Sequence, residues 1–137
     1  MAVGMTGQAP SAEEIERLAR HVLARLPDPF AAHVADIVLL VEEFADAETL
    51  AELEIDDPFG LTGLYHGQPV GEKSSMQSGA LPDRIHLYRR PILDEWCDTG
   101  VDLKALVTHV LVHEVGHHFG LSDADMHALE HDGDHQA

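Results

Sequence analysis

Residues 109–123, HVLVHEVGHHFGLSD, concentrate histidines and acids in one short stretch. His113, Glu114 and His117 have the spacing H-E-x-x-H. Two histidines four residues apart on a helix face the same side, with Cβ atoms about 5–6 Å apart, so both imidazoles can reach one zinc ion at about 2.0–2.1 Å. Glu114 adjoins the first histidine and can take a proton from a water on that metal. The spacing therefore predicts a hydrolytic zinc site, with Glu114 as the catalytic residue.

A zinc site of this kind needs a third protein ligand and one open position. Gly120 interrupts the helical pattern, so the chain can turn and return a side chain to the metal. Asp123 lies six residues after His117, where the pattern H-E-x-x-H-x-x-G-x-x-[HD] has its third ligand. Asp123 could instead cap the next helix, and Glu130 or His127 would then be the third ligand.

Other polar residues near the motif have simpler explanations than metal binding. His118 points about 100° away from His117 on a helix, so we expect it to be packed or hydrogen-bonded. His109 precedes His113 by one turn and is expected to line the site or support it. A zinc hydrolase often adds a hydrogen-bond donor where negative charge develops. Four strand residues are candidates for this role, although packing or solvation is the better explanation for each one singly: Tyr65, His66, Arg84 and Tyr88.

Composition restricts the class of protein. The chain has 137 residues and a formal net charge of −17. This length favours one domain with a single core, which we place at residues 11–130, between a lead-in at 1–10 and a polar tail at 131–137. The negative charge argues against binding to nucleic acid or to anionic membranes.

Cysteine content and hydropathy predict a cytoplasmic protein. Cys97 is the single cysteine; it excludes an internal disulfide, fits a reducing compartment and is expected to be a buried or half-buried apolar residue. The segment MAVGMTGQAP has neither a basic region nor an apolar region typical of a signal peptide. No run approaches the ~18–20 apolar residues of a membrane span.

The first half of the chain alternates helical and strand patterns. Ser11 and Glu14 form a capping-box pattern before an amphipathic helix that Pro27 and Pro29 bring to an end. Residues 37–41 are continuously apolar and predict a strand covered on both faces. Residues 46–54 predict a short helix with Asp46 as its cap.

The second half of the chain supplies the elements around the motif. Residues 61–70 predict a strand and turn, 71–82 a long polar loop, and 83–90 a strand with one polar face. That last strand is a candidate sheet edge, which would align an extended peptide by edge pairing. A helical or turn segment follows at 91–97, then a largely buried helix at 101–119 and a short helix at 122–130. This order predicts an α+β fold.

Three segments carry a family resemblance: GLTGLYHGQPV, LPDRIHLYRRPI and HVLVHEVGHHFGLSD, in this order. Together they resemble the small bacterial zincin-like metallopeptidases described as minimal zincins, over about residues 12–130. The resemblance implies an N-terminal helix, a small mixed sheet, an active-site helix and a short C-terminal helix. It also implies zinc on His113, His117 and Asp123, with Glu114 as general acid/base. Unlike metzincins, the chain has no later Met-turn segment, because Met126 is only three residues past Asp123, and no C-terminal subdomain.

The function expected from the residues and the resemblance is zinc-dependent peptide hydrolysis. The substrate would be a peptide or a flexible protein segment, and the oligomeric state is not indicated. The alternative is a non-catalytic or latent zinc-binding interaction module that keeps the zincin fold. A purely structural zinc site would not need Glu114 and usually has Cys or His in its fourth position.

Overall fold

The computed structural model describes residues 8–67 and 83–135, with side chains through residue 130. The loop expected at 71–82 and residues 1–7 of the lead-in lie outside these ranges. A 3-10 turn at Pro58–Gly60 accompanies the helices and strands. These are, in chain order, α1 (Ala12–Ala24), α2 (Phe30–Val34), β1 (Val38–Glu42), α3 (Ala47–Glu52), β2 (Gly63–His66), β3 (Arg84–Tyr88), α4 (Arg89–Thr99), α5 (Leu103–Phe119) and α6 (Asp123–His135).

The three strands form a mixed sheet in the order β1-β3-β2. β3 pairs in parallel with β1 and antiparallel with β2, which confirms the α+β class with a small mixed sheet. The expectation that the strand at 83–90 is a sheet edge is wrong, because both of its edges are paired. Its polar face reflects the exposure of one side of the sheet and carries no information about position within the sheet.

The core lies between one face of the sheet and the helices α1 and α5. Leu39 of β1 and Ile85 and Leu87 of β3 are buried there. From α5, eight residues are buried, in agreement with the predicted burial of this helix: Leu106, Val107, Thr108, Val110, Leu111, Val112, Val115 and Gly116. α5 is therefore held firmly, and its polar residues are fixed relative to the sheet.

β1 differs from its predicted environment. Val38 and Leu40 are each 36% exposed, whereas Leu39 between them is 4% exposed. Since α1 and α5 pack on only one face of this strand, the prediction of a strand covered on both faces is wrong. A short continuous apolar run does not by itself distinguish the two cases.

Local capping sets several helix boundaries. The Ser11 hydroxyl accepts from the Glu14 backbone amide and the Glu14 carboxylate accepts from the Ser11 amide, which confirms the capping box. Asp46 caps α3 through the Thr49 amide, as predicted. Asp102 caps α5 through the Ala105 amide. The start of α5 is thus fixed at this cap.

Other boundaries differ from those expected. α4 begins at Arg89, ahead of Pro91, because proline within the first turn of a helix removes no intrahelical hydrogen bond. α6 continues to His135, five residues past the predicted end at 130. Cys97 is exposed on α4 rather than buried. Over the described part of the chain, the helices are too short or too polar for any one of them to cross a membrane.

Candidate metal centre

His113, Glu114 and His117 lie on one stretch of α5 that borders the sheet. His113 and Glu114 are half-buried and His117 is exposed. The ring centroids of His113 and His117 are 6.1 Å apart. Val112, Val115 and Gly116 are buried on the other side of the helix, so packing anchors this turn. The two imidazoles and the carboxylate are therefore presented together, as the i, i+4 spacing predicts.

Glu114 contacts the edge of the sheet. The backbone amide of Tyr65 donates a hydrogen bond to Glu114 Oε1 at 3.1 Å. Burial raises the pKa of Glu114, while the neighbouring His117 and the amide of Tyr65 act in the opposite direction. A carboxylate with a raised pKa binds a proton more readily, which is the property required of a general base.

The pKa of His113 is shifted in the direction opposite to that of Glu114. Burial lowers its pKa, and the nearby positive charge of His109 adds to this effect. The neutral imidazole is the form that binds metal. Two imidazoles with carboxylates nearby are a donor set that zinc accepts. The side chains on α5 therefore fit a zinc ion.

Asp123 follows a turn that Gly120 makes possible. Gly120 ends α5 in the left-handed region with φ 72°, and its amide donates to the carbonyls of Gly116 and His117. Ser122 takes the capping position of α6, because its hydroxyl accepts from the Asp125 amide. Asp123 is the first residue of α6 and is exposed. Its carboxylate is therefore not the helix cap, and its charge acts on His113.

Gly116 allows α6 to pack directly on α5. A Cβ at this position would overlap the Sδ and Cγ atoms of Met126, and Met126 is only 2% exposed. The position of Met126 three residues past Asp123 gives no sign of this packing role. A glycine inside a strongly helical pattern is the sequence signal for such a close approach.

The structure also brings Glu130 to His113. The ligand atoms of His109, His113 and Glu130 all lie within 4.8 Å of one another, and His109 Nδ1 is 3.0 Å from Glu130 Oε2. Among the described residues this is one of two groups with metal-binding spacing. His117, Asp123 and His127 belong to neither group, so the sequence-based ligand set stays a prediction.

The side chains of the four candidate oxyanion donors have other surroundings or partners. The Tyr65 hydroxyl donates to Asp83 Oδ2 at 2.8 Å, which directs it away from Glu114. The other three candidates, His66, Arg84 and Tyr88, line a polar cavity of about 260 Å³ together with Glu42 and other residues of the β1–α3 region. The backbone amide of Tyr65 is therefore the donor that reaches the candidate site, a role that the side-chain pattern did not indicate.

A family model of zincin-like metallopeptidases matches residues 34–133. The matched region contains all three strands, α4, α5 and most of α6. The chain therefore belongs to the zincin-like metallopeptidase family, which confirms the resemblance. Membership implies zinc binding and indicates a hydrolytic role. No curated protein matches the chain significantly.

Proposed function

We propose that the chain is a cytoplasmic zinc metallopeptidase in which Glu114 is the general acid/base. The observation that carries this proposal is the position of Glu114. It is a half-buried carboxylate with a raised pKa, it lies on the same helix as two histidines that are one turn apart, and it is hydrogen-bonded to the sheet edge. The absence of a disulfide partner for Cys97 in the sequence supports a reducing compartment.

The proposed zinc ligands are His113, His117 and Asp123. His113 and His117 supply the imidazoles from consecutive turns of α5. Asp123 supplies the carboxylate, because the turn at Gly120 returns the chain and the cap of α6 falls to Ser122 instead. Glu130 is the competing carboxylate, but its oxygens contact His109 at 3.0–3.1 Å.

The reaction depends on proton transfer by Glu114. Zinc, when bound, supplies a Lewis acid that acidifies water and polarises a carbonyl oxygen. Glu114 accepts the proton of the attacking water and delivers it to the leaving amine nitrogen. The amide of Tyr65 holds the Glu114 carboxylate in place at 3.1 Å. Partial burial raises the pKa of Glu114, which favours acceptance of the proton.

The substrate is proposed to be an extended peptide or a flexible protein segment that lies along β2. Among the strands that the structure describes, β2 has a partner on one edge only, and that partner is β3. The Thr62 carbonyl accepts from Tyr88 on that paired side, whereas the Tyr65 amide points outward to Glu114. An extended peptide at this outer edge would place its carbonyl groups beside Glu114. This proposal transfers the peptide-aligning role from β3 to β2.

The test is a comparison of Glu114→Gln with wild type. The variant keeps the shape of the side chain and is expected to retain zinc while hydrolysis of a quenched fluorescent peptide library falls at least about a hundredfold. Glu48→Gln, on the exposed first turn of α3, is the matched control and should hydrolyse at the wild-type rate. Zinc content is measured by elemental analysis of each protein. Undiminished hydrolysis by zinc-loaded Glu114→Gln would contradict the mechanism.

The alternative is a zinc-binding interaction module without activity. It predicts no cleavage of any library peptide by zinc-loaded wild type, although the protein would still bind zinc. The half-buried Glu114 with its raised pKa favours the enzyme, because a structural site has no use for an unligated carboxylate beside the metal. Cleavage by wild type that disappears on chelation and returns with zinc would exclude this alternative.

A further inference from the structure

A second cluster of metal-binding groups lies outside the H-E-x-x-H site. His33 of α2, Asp83 just before β3, and His118 of α5 converge although they are far apart in sequence. His33 Nε2 and His118 Nε2 lie 3.5 Å and 3.6 Å from the same oxygen, Asp83 Oδ2. The ring centroids of the two histidines are 5.1 Å apart.

These separations are those of ligands around a metal. N–H···O hydrogen bonds have donor–acceptor distances of about 2.7–3.2 Å, shorter than both contacts. Two ligand atoms bound tetrahedrally to zinc at about 2.0–2.2 Å are about 3.4 Å apart. Both measured distances lie close to that value, and the third pair, between the two histidine nitrogens, is within 4.8 Å. One cation fits between the three ligand atoms.

Burial gives the cluster the character of a built site. The side chains of Asp83 and His118 are 9% and 4% exposed, and that of His33 is 19% exposed. Among the described residues, the buried Nε2 atom of His33 has no hydrogen-bond partner. Buried polar atoms are rarely left without one. A metal bond would satisfy this nitrogen.

The surroundings of the cluster orient its members. The Tyr65 hydroxyl donates to Asp83 Oδ2 at 2.8 Å, and the Tyr65 ring stacks on His118 with centroids 4.1 Å apart. Phe119 packs edge-on against His33 at 4.8 Å. Metal ligands are commonly held in this way by hydrogen bonds and packing around them.

We propose that His33, Asp83 and His118 bind a second divalent transition-metal ion, separate from the ion at His113 and His117. Two imidazoles and one carboxylate suit zinc and its neighbours in the first transition row. The ion would join α2, the start of β3 and the end of α5, three segments that are far apart in the sequence. Its role is structural, and the net charge of −17 favours cation uptake.

Tyr65 connects this ion to the candidate active site. Its hydroxyl contacts Asp83 and its backbone amide contacts Glu114. A metal that fixes Asp83 and His118 therefore also fixes the strand that holds Glu114. The second site does not depend on the proposed activity, since none of its three ligands belongs to the H-E-x-x-H motif.

The test is zinc stoichiometry after chelation and reloading, measured by calorimetry and elemental analysis. Wild type is expected to bind two ions per chain, and His33→Gln and Asp83→Asn one each. His21→Gln, an exposed histidine on α1, is the control and should bind as many as wild type. A folded His33→Gln that binds as many ions as wild type would overturn the inference.

His113→Gln separates the failure of this site from the failure of the proposed function. Loss of zinc in His113→Gln but not in His33→Gln overturns the second site and leaves the proposed enzyme intact. The reverse pattern supports the second site and contradicts the zinc centre on α5.

A measurement on the wild-type protein tests the second site even if the variants do not fold. The ring nitrogen resonances of His33 and His118 are followed by nuclear magnetic resonance during addition of zinc. We expect the Nε2 signals of both residues to shift on binding. Unmoved Nε2 signals at saturating zinc would overturn the inference.

Discussion

Burial shifts the pKa values of two adjacent residues of α5 in opposite directions. It raises the pKa of Glu114 and lowers the pKa of His113, because in each case it disfavours the charged form. For His113 the result is a neutral imidazole, which is able to bind metal. For Glu114 the result is a more basic carboxylate, which is able to take a proton. Partial burial on α5 thus favours metal binding by His113 and proton acceptance by Glu114.

The identity of the third ligand is the first prediction at this scale. Substitution of a residue that supports a metal ligand typically weakens metal binding about 10–100-fold. Asp123→Asn is expected to weaken zinc binding by more than this, because it removes a charged ligand. Glu130→Gln should stay within that range, since Glu130 contacts His109. Competition with a fluorescent zinc chelator measures both affinities. A larger loss in Glu130→Gln would assign the third ligand to Glu130.

The second residue-scale prediction concerns alkaline pH. Burial raises the pKa of Tyr88 from 10.0 to about 12, and the charge of Glu42 adds to this effect. Between these pH values the unfolded chain loses the phenol proton while the folded chain keeps it. The free energy of unfolding therefore falls as pH rises from about 10 to about 12. Urea unfolding at a series of pH values measures this slope.

The control for this pH effect is Tyr88→Phe, which has no phenol proton at this position. Its loss of stability over the same range should be smaller than that of wild type. It should not vanish, because burial and Asp83 also raise the pKa of Tyr65. Equal slopes in wild type and Tyr88→Phe would show that the burial of Tyr88 does not control its ionisation.

The sequence indicates candidate site residues only where they are close together along the chain. His113, Glu114 and His117 are within five positions, and helical periodicity alone brings them to one face. His33 and Asp83 join His118 only through the packing of α2 and the start of β3 on α5. No local spacing indicates that cluster, so the sequence predicted a packed or hydrogen-bonded role for His118.

At the scale of elements, the turn between α5 and α6 positions Asp123. Gly120 ends α5 with φ 72°, and the Leu121 amide donates to the Gly116 carbonyl at 2.9 Å. The contact of Gly116 with Met126 then fixes α6 against α5. The angle between the helices, and with it the direction of Asp123, depends on these glycines.

Two alanine variants distinguish a general loss of stability from a specific effect of the α5–α6 turn on zinc binding. Gly120→Ala and Gly100→Ala both place a side chain at positive φ, 72° and 71°, and each should lower the free energy of unfolding by about 1 kcal/mol. A Cβ meets no atom within 4 Å at either position, so strain is the common cause. Only Gly120→Ala is expected to weaken zinc binding as well, because Gly100 ends α4. Equal zinc affinities would mean that Asp123 is not positioned by this turn.

The elements that the sequence predicted well have local signals. The capping box at Ser11, the cap at Asp46 and the stop at Gly120 are each set by neighbouring residues. α2 was not predicted, since its five residues follow two prolines and give little periodicity. The exposed face of β1 and the central place of β3 depend on what the sheet packs against, which alternation along a strand does not reveal.

At the scale of the whole molecule, the candidate zinc centre lies where three parts of the fold meet. β3 is the central strand of the sheet, and β2 is the edge strand beside α5. α6 follows the C-terminal end of α5 and packs against it. Tertiary packing therefore makes the candidate site from residues of β2, α5 and α6, within the region matched by the family model.

The central claim is that zinc binds on α5 with an open position facing Glu114. The most direct measurement is diffraction at the zinc absorption edge from crystals of the zinc-loaded protein. We predict an anomalous peak for a zinc ion within bonding distance of His113, His117 and Asp123. The fourth coordination position of this ion should be open to solvent and within reach of Glu114. The absence of a peak at His113 and His117, or a fourth protein ligand that closes the site, would contradict the account.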